Sequence, residues 1–133
     1  MGCRAIEIPG HGQPPEVAEC DVPARGDGES LVRLAAAGVN PVDLAIASGR
    51  FYLPVPAPPY VAGAEAVGEI VESDRFSEGT RVWCLVRTGA FSELFVATDS
   101  AMVEVPDGPS DAQAVAAGIA GLAGWMSTTS RGS

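Results

Sequence analysis

Glycine and proline interrupt this chain along its whole length, and this feature constrains its fold more than any other. There are 16 glycines and 11 prolines among the 133 residues, and both types break regular secondary structure. Several of the short segments between them alternate between apolar and polar residues, as half-buried strands do. This pattern predicts a mainly β fold with short helices, arranged as a sandwich or a partly open barrel. The predicted strands are Cys3–Ile8, Glu16–Asp21, Ser30–Ala37, Val67–Ser73, Arg81–Val86 and Phe91–Ala97.

A first helix is predicted from its end signals. Asn40 is a good N-cap residue, and proline suits the first helical position, so the helix is expected over Pro41–Ser48. Asp43 lies near the positive end of the helix dipole, which stabilises its charge. Gly49 is placed to end the helix in a left-handed conformation.

A second helix is predicted from Ser110 to Met126, because Ser110 and Gln113 have the spacing of a capping box. Residues 1–126 are then expected to form one domain, and residues 127–133 a flexible or truncated tail. Glycines spaced along this helix predict close packing against another element, since they lie within a helix rather than in a nucleotide-binding turn. They are Gly118, Gly121 and Gly124.

Charge and cysteine content limit the partners and the compartment of the chain. All eight basic residues are arginine, and 17 acidic residues give a net charge of -9. Such a surface matches phosphate backbones and anionic lipid poorly, so neither nucleic acid nor a membrane is expected as a partner. The longest apolar run, Ala114–Met126, is too short to span a bilayer. Three separated cysteines without a C-x-x-C motif are typical of a reducing compartment and predict a cytoplasmic protein.

Several side chains have both a structural and a functional interpretation. Asn40 acts as an N-cap or contributes to a site. Tyr52 and Tyr60, in a proline-rich loop, either pack against the domain or cover a site. His11 is interpreted as an exposed loop histidine, since no further metal ligands lie near it in the sequence.

Glu65 is flanked by apolar residues on both sides, in the segment Gly63–Gly68. A buried carboxylate must be paired or have a perturbed pKa. The structural expectation is an ion pair, with Arg81 or Arg87 as the partner.

Five segments, taken in order, resemble the medium-chain dehydrogenase/reductase superfamily, and within it the zinc-independent quinone oxidoreductases. Each segment is weakly specific alone, whereas the ordered set covers nearly the whole chain. The segments are Gly38–Asp43 with Ser48–Tyr52 (G-x-N-x-x-D and x-G-x-Y), Gly63–Val71 (G-x-E-x-x-G-x-I), Glu78–Val82 (in place of G-D-R-V), Gly89–Glu93 (G-x-F-S-E), and the glycine-rich stretch Gly118–Trp125.

The resemblance implies a GroES-like domain that holds a small apolar or conjugated carbonyl substrate against NADPH carried by a following Rossmann domain. Zinc-dependent members of the superfamily place a cysteine where Asn40 stands, a histidine where Ala64 stands and a third ligand near Ile119. Alanine and isoleucine cannot ligate a metal, so a zinc-free site is expected.

The resemblance also implies roles for individual residues. Asn40 and Tyr52 are the expected catalytic residues, since an amide or hydroxyl donor can stabilise charge on a conjugated oxygen. Asn40 and Ala123 are expected to contact the cofactor, and Phe51, Tyr52 and Tyr60 the substrate. Ala123 stands where relatives often carry threonine.

Two further expectations follow from the resemblance. The helix beginning at Ser110 would lead into a Rossmann domain that this sequence does not contain, so the chain is expected to be weak or inactive alone. Apolar surface left uncovered is expected to favour self-association. The alternatives are a non-enzymatic module that binds a small molecule or a protein, and a co-chaperonin-like assembly unit suggested by fold analogy alone.

Overall fold

The structure is a computed structural model that describes residues 2–39, 41–49, 57–86 and 88–116. Within these ranges the fold is mainly β, as predicted. Most glycine- and proline-rich stretches form the turns between short strands, because these residues break regular structure. The strands are β1 (Gly2–Ile8), β2 (Glu16–Asp21), β3 (Glu29–Gly38), β4 (Tyr60–Val61), β5 (Glu65–Glu72), β6 (Arg81–Leu85), β7 (Leu94–Thr98) and β8 (Met102–Glu104); the helices are α1 (Pro41–Ala47), a 3-10 turn (Asp99–Ala101) and α2 (residues 111–116).

The strands form two antiparallel sheets. The first has three strands in the order β2-β1-β4, and the second has five in the order β7-β3-β5-β6-β8. Neither sheet closes on itself within the described residues, which confirms the predicted partly open architecture. The sequence did not reveal β4 and β8, because two or three residues are too few to display a period-two pattern.

The two sheets are joined by backbone hydrogen bonds between β1 and the segment just before β7. The Ile6 N–H donates to the Phe91 carbonyl at 2.8 Å, and the Glu93 N–H donates to the Arg4 carbonyl at 3.0 Å. The backbone of residues 91–93 is therefore paired with β1. This explains why the strand predicted over Phe91–Ala97 begins at Leu94 instead.

Glu93 reinforces this junction with its side chain. Its Oε1 accepts the Arg4 backbone N–H at 2.6 Å, and its Oε2 lies 3.6 Å from the Arg4 guanidinium. The hydrogen bond from the Arg4 backbone lowers the pKa of the Glu93 carboxyl below its usual range. A carboxylate with a lowered pKa stabilises the folded state above its unfolded pKa, and this contribution is lost as pH falls through the folded pKa.

We therefore expect Glu93→Gln to cost stability at pH 7 and to cost progressively less as the pH is lowered toward 2 and the wild-type carboxyl becomes protonated. Melting temperatures of both proteins across this range would show the two curves converging in acid. Glu78→Gln, in an exposed turn, is the matched control. A cost that stays constant with pH would contradict the assignment.

A cluster of buried side chains lies on the five-stranded sheet. It is built from inward-facing positions of β3, β5, β6, β7 and β8, as alternation along each strand requires. Its members include Val32, Ile70, Val82, Cys84, Phe95 and Met102. No helix among the described residues is long and apolar enough to cross a membrane.

Gly68 marks a close contact between two strands of this sheet. It lies opposite Leu34, beside an irregularity in the β3–β5 register. A Cβ atom built there would meet the Arg33 carbonyl oxygen, and Val32 Cγ1 at 2.5 Å. A glycine is therefore needed for β3 and β5 to approach each other at this point.

Both predicted helix starts and the first helix end agree with the structure where it describes them. Gly49 has a φ of +78° and donates its N–H to the Ile46 carbonyl at 3.0 Å, which ends α1. Ser110 and Gln113 form the reciprocal capping box, with hydrogen bonds of 2.9 Å and 3.1 Å. The part of the second helix predicted beyond residue 116, with its glycines, lies outside the described residues.

Candidate active site

The candidate site begins at a buried carboxylate where β5 starts. Glu65 is only 3% exposed, and its Oε2 accepts a hydrogen bond from the Trp83 indole N–H at 2.7 Å. Trp83 lies on the neighbouring strand β6, opposite Val67. This diagonal placement lets a long aromatic side chain reach Glu65.

The expected ion pair between Glu65 and Arg81 is wrong. The Arg81 Nε instead contacts Asp111 Oδ1 at 2.6 Å, because β6 directs this side chain toward the start of α2. The second expected partner, Arg87, lies outside the described residues. Trp83 was missed because an indole donor to a carboxylate leaves no spacing signal in the sequence.

The end of β3 lies beside this carboxylate and under α2. Gly38 pairs with Glu65 across the sheet. A Cβ atom on Gly38 would lie 2.8 Å from Val115 Cγ1 and 3.3 Å from Glu65 Oε1. The absence of a side chain at Gly38 therefore lets α2 pack onto the end of β3, next to the carboxylate.

Arg81 fixes α2 in this position. Its Nε bonds Asp111 and its terminal nitrogen donates to the Pro109 carbonyl at 2.5 Å. Lysine cannot make both contacts, because its ammonium lacks the forked donor geometry. The Asp111 side chain is 42% exposed, so screening by water reduces the stabilisation that the Arg81–Asp111 ion pair provides.

We expect Arg81→Lys to destabilise α2 locally, by about 0.5 kcal/mol, with little change in global stability. Amide hydrogen exchange should accelerate roughly twofold in residues 111–116. Arg33→Lys, at an exposed position of β3, supplies the matched control. An unchanged exchange rate in Arg81→Lys would show that the two contacts of the Arg81 guanidinium do not hold α2 in place.

An apolar cavity of about 460 Å³ lies between α1 and β1, and we call it the α1 cavity. The helix contributes Asp43, Leu44 and Ala47 to one wall, and Ser48, directly after the helix, extends it. The opposite wall includes Ile6, Ile8 and Phe91, and Val39 at the end of the β3–α1 connection also lines it. The cavity therefore opens at the point where the chain enters α1.

A second cavity, of about 470 Å³, lies on the other side of Ile6, Val39 and Phe91, which line both. We call it the β1 cavity; its lining also includes Arg4, Ala5, Val17 and Leu34. It is the more open of the two. The α1 cavity is the better candidate for a small ligand, because enclosure removes more of a ligand's surface from water.

Tyr60 does not line the α1 cavity but lies near it. Its hydroxyl is buried and has no hydrogen-bond partner among the described residues. Burial, followed by the negative charge of Asp43, raises the pKa of the Tyr60 phenol. The Tyr60 ring lies 6.5 Å from the ring of His11.

His11 is exposed, as the sequence predicted. Its ring packs where a side chain on Gly49 would stand, with Cγ 3.1 Å from that Cβ position. The next residue, Gly12, donates its N–H to the Ala47 carbonyl at 2.9 Å. The turn that contains His11 and Gly12 thus packs against the end of α1 and is hydrogen-bonded to it.

The structure describes only some of the residues that the sequence singled out. Tyr60 and Ala64 are described, and Ala64 is 3% exposed. Within the described ranges, no group of three or more His, Cys, Asp or Glu side chains could hold a metal ion. The predicted site residues that lie outside the described residues are Asn40, Phe51, Tyr52 and Ala123, together with the family's third metal position at Ile119.

A model of the alcohol dehydrogenase GroES-like domain family matches residues 26–107. These residues include β3, α1, β5, Glu65 and Trp83. The match therefore covers more than half of the chain and most of the candidate site.

Several of the proteins that the chain is similar to are named as reductases or oxidoreductases. The chain is 33% identical over 125 residues to quinone oxidoreductase of Rattus norvegicus, which aligns 87% of this chain and 37% of that protein. It is 36% identical over 93 residues to prostaglandin reductase-3 of Mus musculus, with 66% and 24% covered. The chain also superimposes on a solved structure of quinone oxidoreductase from Thermus thermophilus, which is described with its NADPH complex. The TM-score is 0.76 at 28% identity, and the superposition covers 87% of this chain and 37% of that one. The chain thus spans well under half the length of these relatives.

Proposed function

Because the chain belongs to the alcohol dehydrogenase GroES-like domain family, we propose that it forms the substrate side of an NADPH-dependent, zinc-independent quinone or enoyl reductase. The observation that carries this proposal is the α1 cavity. Its volume of about 460 Å³ suits a small conjugated carbonyl compound, since ligand pockets commonly span about 300–1,000 Å³. Its mainly apolar walls match the ring of a quinone, and its few polar groups suit a carbonyl oxygen.

The described residues do not fit a catalytic zinc. Ala64, at the position where zinc-dependent members of the superfamily carry histidine, presents a buried methyl group. A methyl group cannot donate an electron pair to a metal. The proposal therefore contains no metal-assisted step.

The proposed chemistry needs hydrogen-bond donors. NADPH supplies the hydride when it is bound to a cofactor domain. The Asn40 amide and the Tyr52 hydroxyl are the proposed donors to the oxygen on which negative charge develops. Phe51, Tyr52 and Tyr60 are the proposed substrate contacts, and Asn40 and Ala123 the proposed cofactor contacts.

We further propose that the chain alone has little or no catalytic power, because the relatives that it resembles are much longer. Titration of the purified chain with NADPH, in the presence of a quinone, tests this. The proposal predicts no turnover and at most millimolar binding of NADPH. Saturable micromolar binding with quinone turnover would show that the chain is a complete enzyme. Failure of quinones as well as NADPH to bind would favour a non-enzymatic binding module for other small molecules or proteins.

Exposed apolar side chains support a proposal that the chain self-associates. Val17 and Val39 are each 71% exposed, and Leu44 is 67% exposed. Val39 and Leu44 both line the α1 cavity, so association through them would cover it. Sedimentation equilibrium of the chain, with Leu44→Glu as the comparison, would detect this.

We also propose a cytoplasmic location, consistent with the family resemblance.

A further inference from the structure

Two of the three cysteines lie directly opposite each other across β1 and β2. Cys3 pairs with Cys20 in the antiparallel register. Opposite residues of an antiparallel ladder project to the same face of the sheet, so the two thiols are neighbours. That face is the inner one, since Cys3 is buried and Cys20 half-buried, whereas the next pair, Arg4 and Glu19, is exposed.

The backbone hydrogen bonds identify the type of pairing. Arg4 and Ile6 direct their backbone groups away from β2, toward Glu93 and Phe91. Because successive residues alternate in direction, Cys3 directs its own N–H and carbonyl toward β2 and exchanges hydrogen bonds with Cys20. Such pairs have Cα atoms about 5.5 Å apart, within the roughly 4.4–6.8 Å that disulfides span. Their Cβ atoms must approach by about 1 Å for a disulfide to form.

We propose that Cys3 and Cys20 form a reversible redox pair, which a hydroperoxide oxidises to a cross-strand disulfide. The Cys20 sulfur attacks a peroxide oxygen, the O–O bond breaks, and a sulfenic acid forms as water or an alcohol leaves. The Cys3 thiol then attacks the Cys20 sulfur, the S–S bond forms, and a water molecule leaves with the thiol proton. The two thiols lose two electrons in total, and the peroxide gains them.

Exposure determines the order of these two steps. Cys20 is half-buried on the edge strand β2, whereas Cys3 is 7% exposed and its Sγ lies 3.4 Å from Ser92 Oγ. The peroxide therefore reaches Cys20 first, and Cys3 resolves the intermediate. Burial, followed by the charge of Glu7, raises the pKa of the Cys20 thiol. The thiolate is the reactive form, so this raised pKa slows the attack of Cys20 on the peroxide.

The same geometry makes the disulfide easy to reduce. A disulfide that must draw the strands together is strained, and strained disulfides have higher reduction potentials. Cys84 behaves differently, because it is fully buried in the five-stranded sheet and burial raises its pKa to about 12. Oxidation would also release Ser92 from its contact with Cys3, and Ser92 lines the β1 cavity.

Peptide mapping of the peroxide-treated chain tests this proposal. Every basic residue is an arginine, and cleavage after Arg4, Arg25 and Arg81 leaves Cys3, Cys20 and Cys84 on different peptides. We expect one intramolecular disulfide that joins the Cys3 and Cys20 peptides, with the Cys84 peptide still alkylated by iodoacetamide. Reduced glutathione should then return the Cys3 and Cys20 thiols.

The variant Cys20→Ser provides the control, since this residue is half-buried at a sheet edge and its replacement leaves the core intact. It should form no intramolecular disulfide under the same treatment. Formation of a disulfide that includes Cys84, of intermolecular disulfides alone, or of sulfinic acid at Cys20 without a disulfide would each overturn the proposal.

Discussion

Replacing Gly68 by alanine is expected to lower the free energy of unfolding by about 3 kcal/mol, within the range measured for overpacked cores. The added methyl group would overlap the Arg33 carbonyl oxygen and approach Val32 Cγ1 to 2.5 Å. The backbone atom belongs to the neighbouring strand β3, so relief requires β3 and β5 to separate. Urea unfolding monitored by tryptophan fluorescence measures the change.

Gly10→Ala is the matched control for this substitution. Its Cβ would meet only the side chain of Gln13, which is flexible and can move away. We expect this variant to differ from the wild type by less than about 0.5 kcal/mol. A Gly68→Ala protein as stable as Gly10→Ala would show that the two strands are not held as closely as described.

Trp83→Phe is expected to destabilise the fold by about 2 kcal/mol, because hydrogen bonds to buried charged groups contribute about 1.5–3 kcal/mol. The substitution keeps an aromatic ring but removes the indole N–H that bonds Glu65 Oε2 at 2.7 Å. Packing changes contribute as well, so the single variant does not isolate the hydrogen bond.

A double-mutant cycle with Glu65→Ala, which removes both acceptor oxygens, separates the two effects. If the indole bonds the carboxylate, the cycle should give a coupling energy of at least about 1 kcal/mol. Coupling near zero would mean that Trp83 stabilises the protein by packing alone. The carboxylate would then be held chiefly by other groups.

Local patterns predicted most of the secondary structure. Asn40-Pro41 and Gly49 carry end signals that act within a few residues, so the bounds of α1 could be predicted closely. The capping box of Ser110 and Gln113 is equally local, and the structure contains both of its hydrogen bonds. Strand β2 has the predicted bounds because the glycine- and proline-rich stretches on both sides of it break regular structure, so the strand cannot extend into them.

Long-range pairing could not be predicted in the same way. The strand predicted from Phe91 begins at Leu94, because β1 competes for residues 91–93. Arg81 and Glu65 lie on adjacent strands, yet Arg81 bonds Asp111 and Glu65 bonds Trp83. The α1 cavity combines residues from α1, β1 and Phe91, which no sequence spacing connects.

The resemblance to quinone oxidoreductases supplied what local patterns could not. It implied the GroES-like fold, which the family match over residues 26–107 shows. The roles that it implied for Asn40, Phe51, Tyr52 and Ala123 stay predictions, since these residues lie outside the described ranges. The role implied for Tyr60 stays a prediction too.

The most direct test of the claim that the α1 cavity binds a quinone is a titration of the methyl-labelled chain with duroquinone, followed by NMR. The fully substituted ring of this quinone cannot alkylate cysteine. The account predicts saturable shifts of the Leu44, Ala47 and Ile8 methyl signals, which line the α1 cavity, without shifts at Val82 in the five-stranded sheet. Ala47→Leu should weaken binding at least about tenfold by filling the cavity, whereas Ala45→Leu, on the same helix, should bind normally. No saturable shift, or shifts confined to Val17 and Leu34 of the β1 cavity, would contradict it.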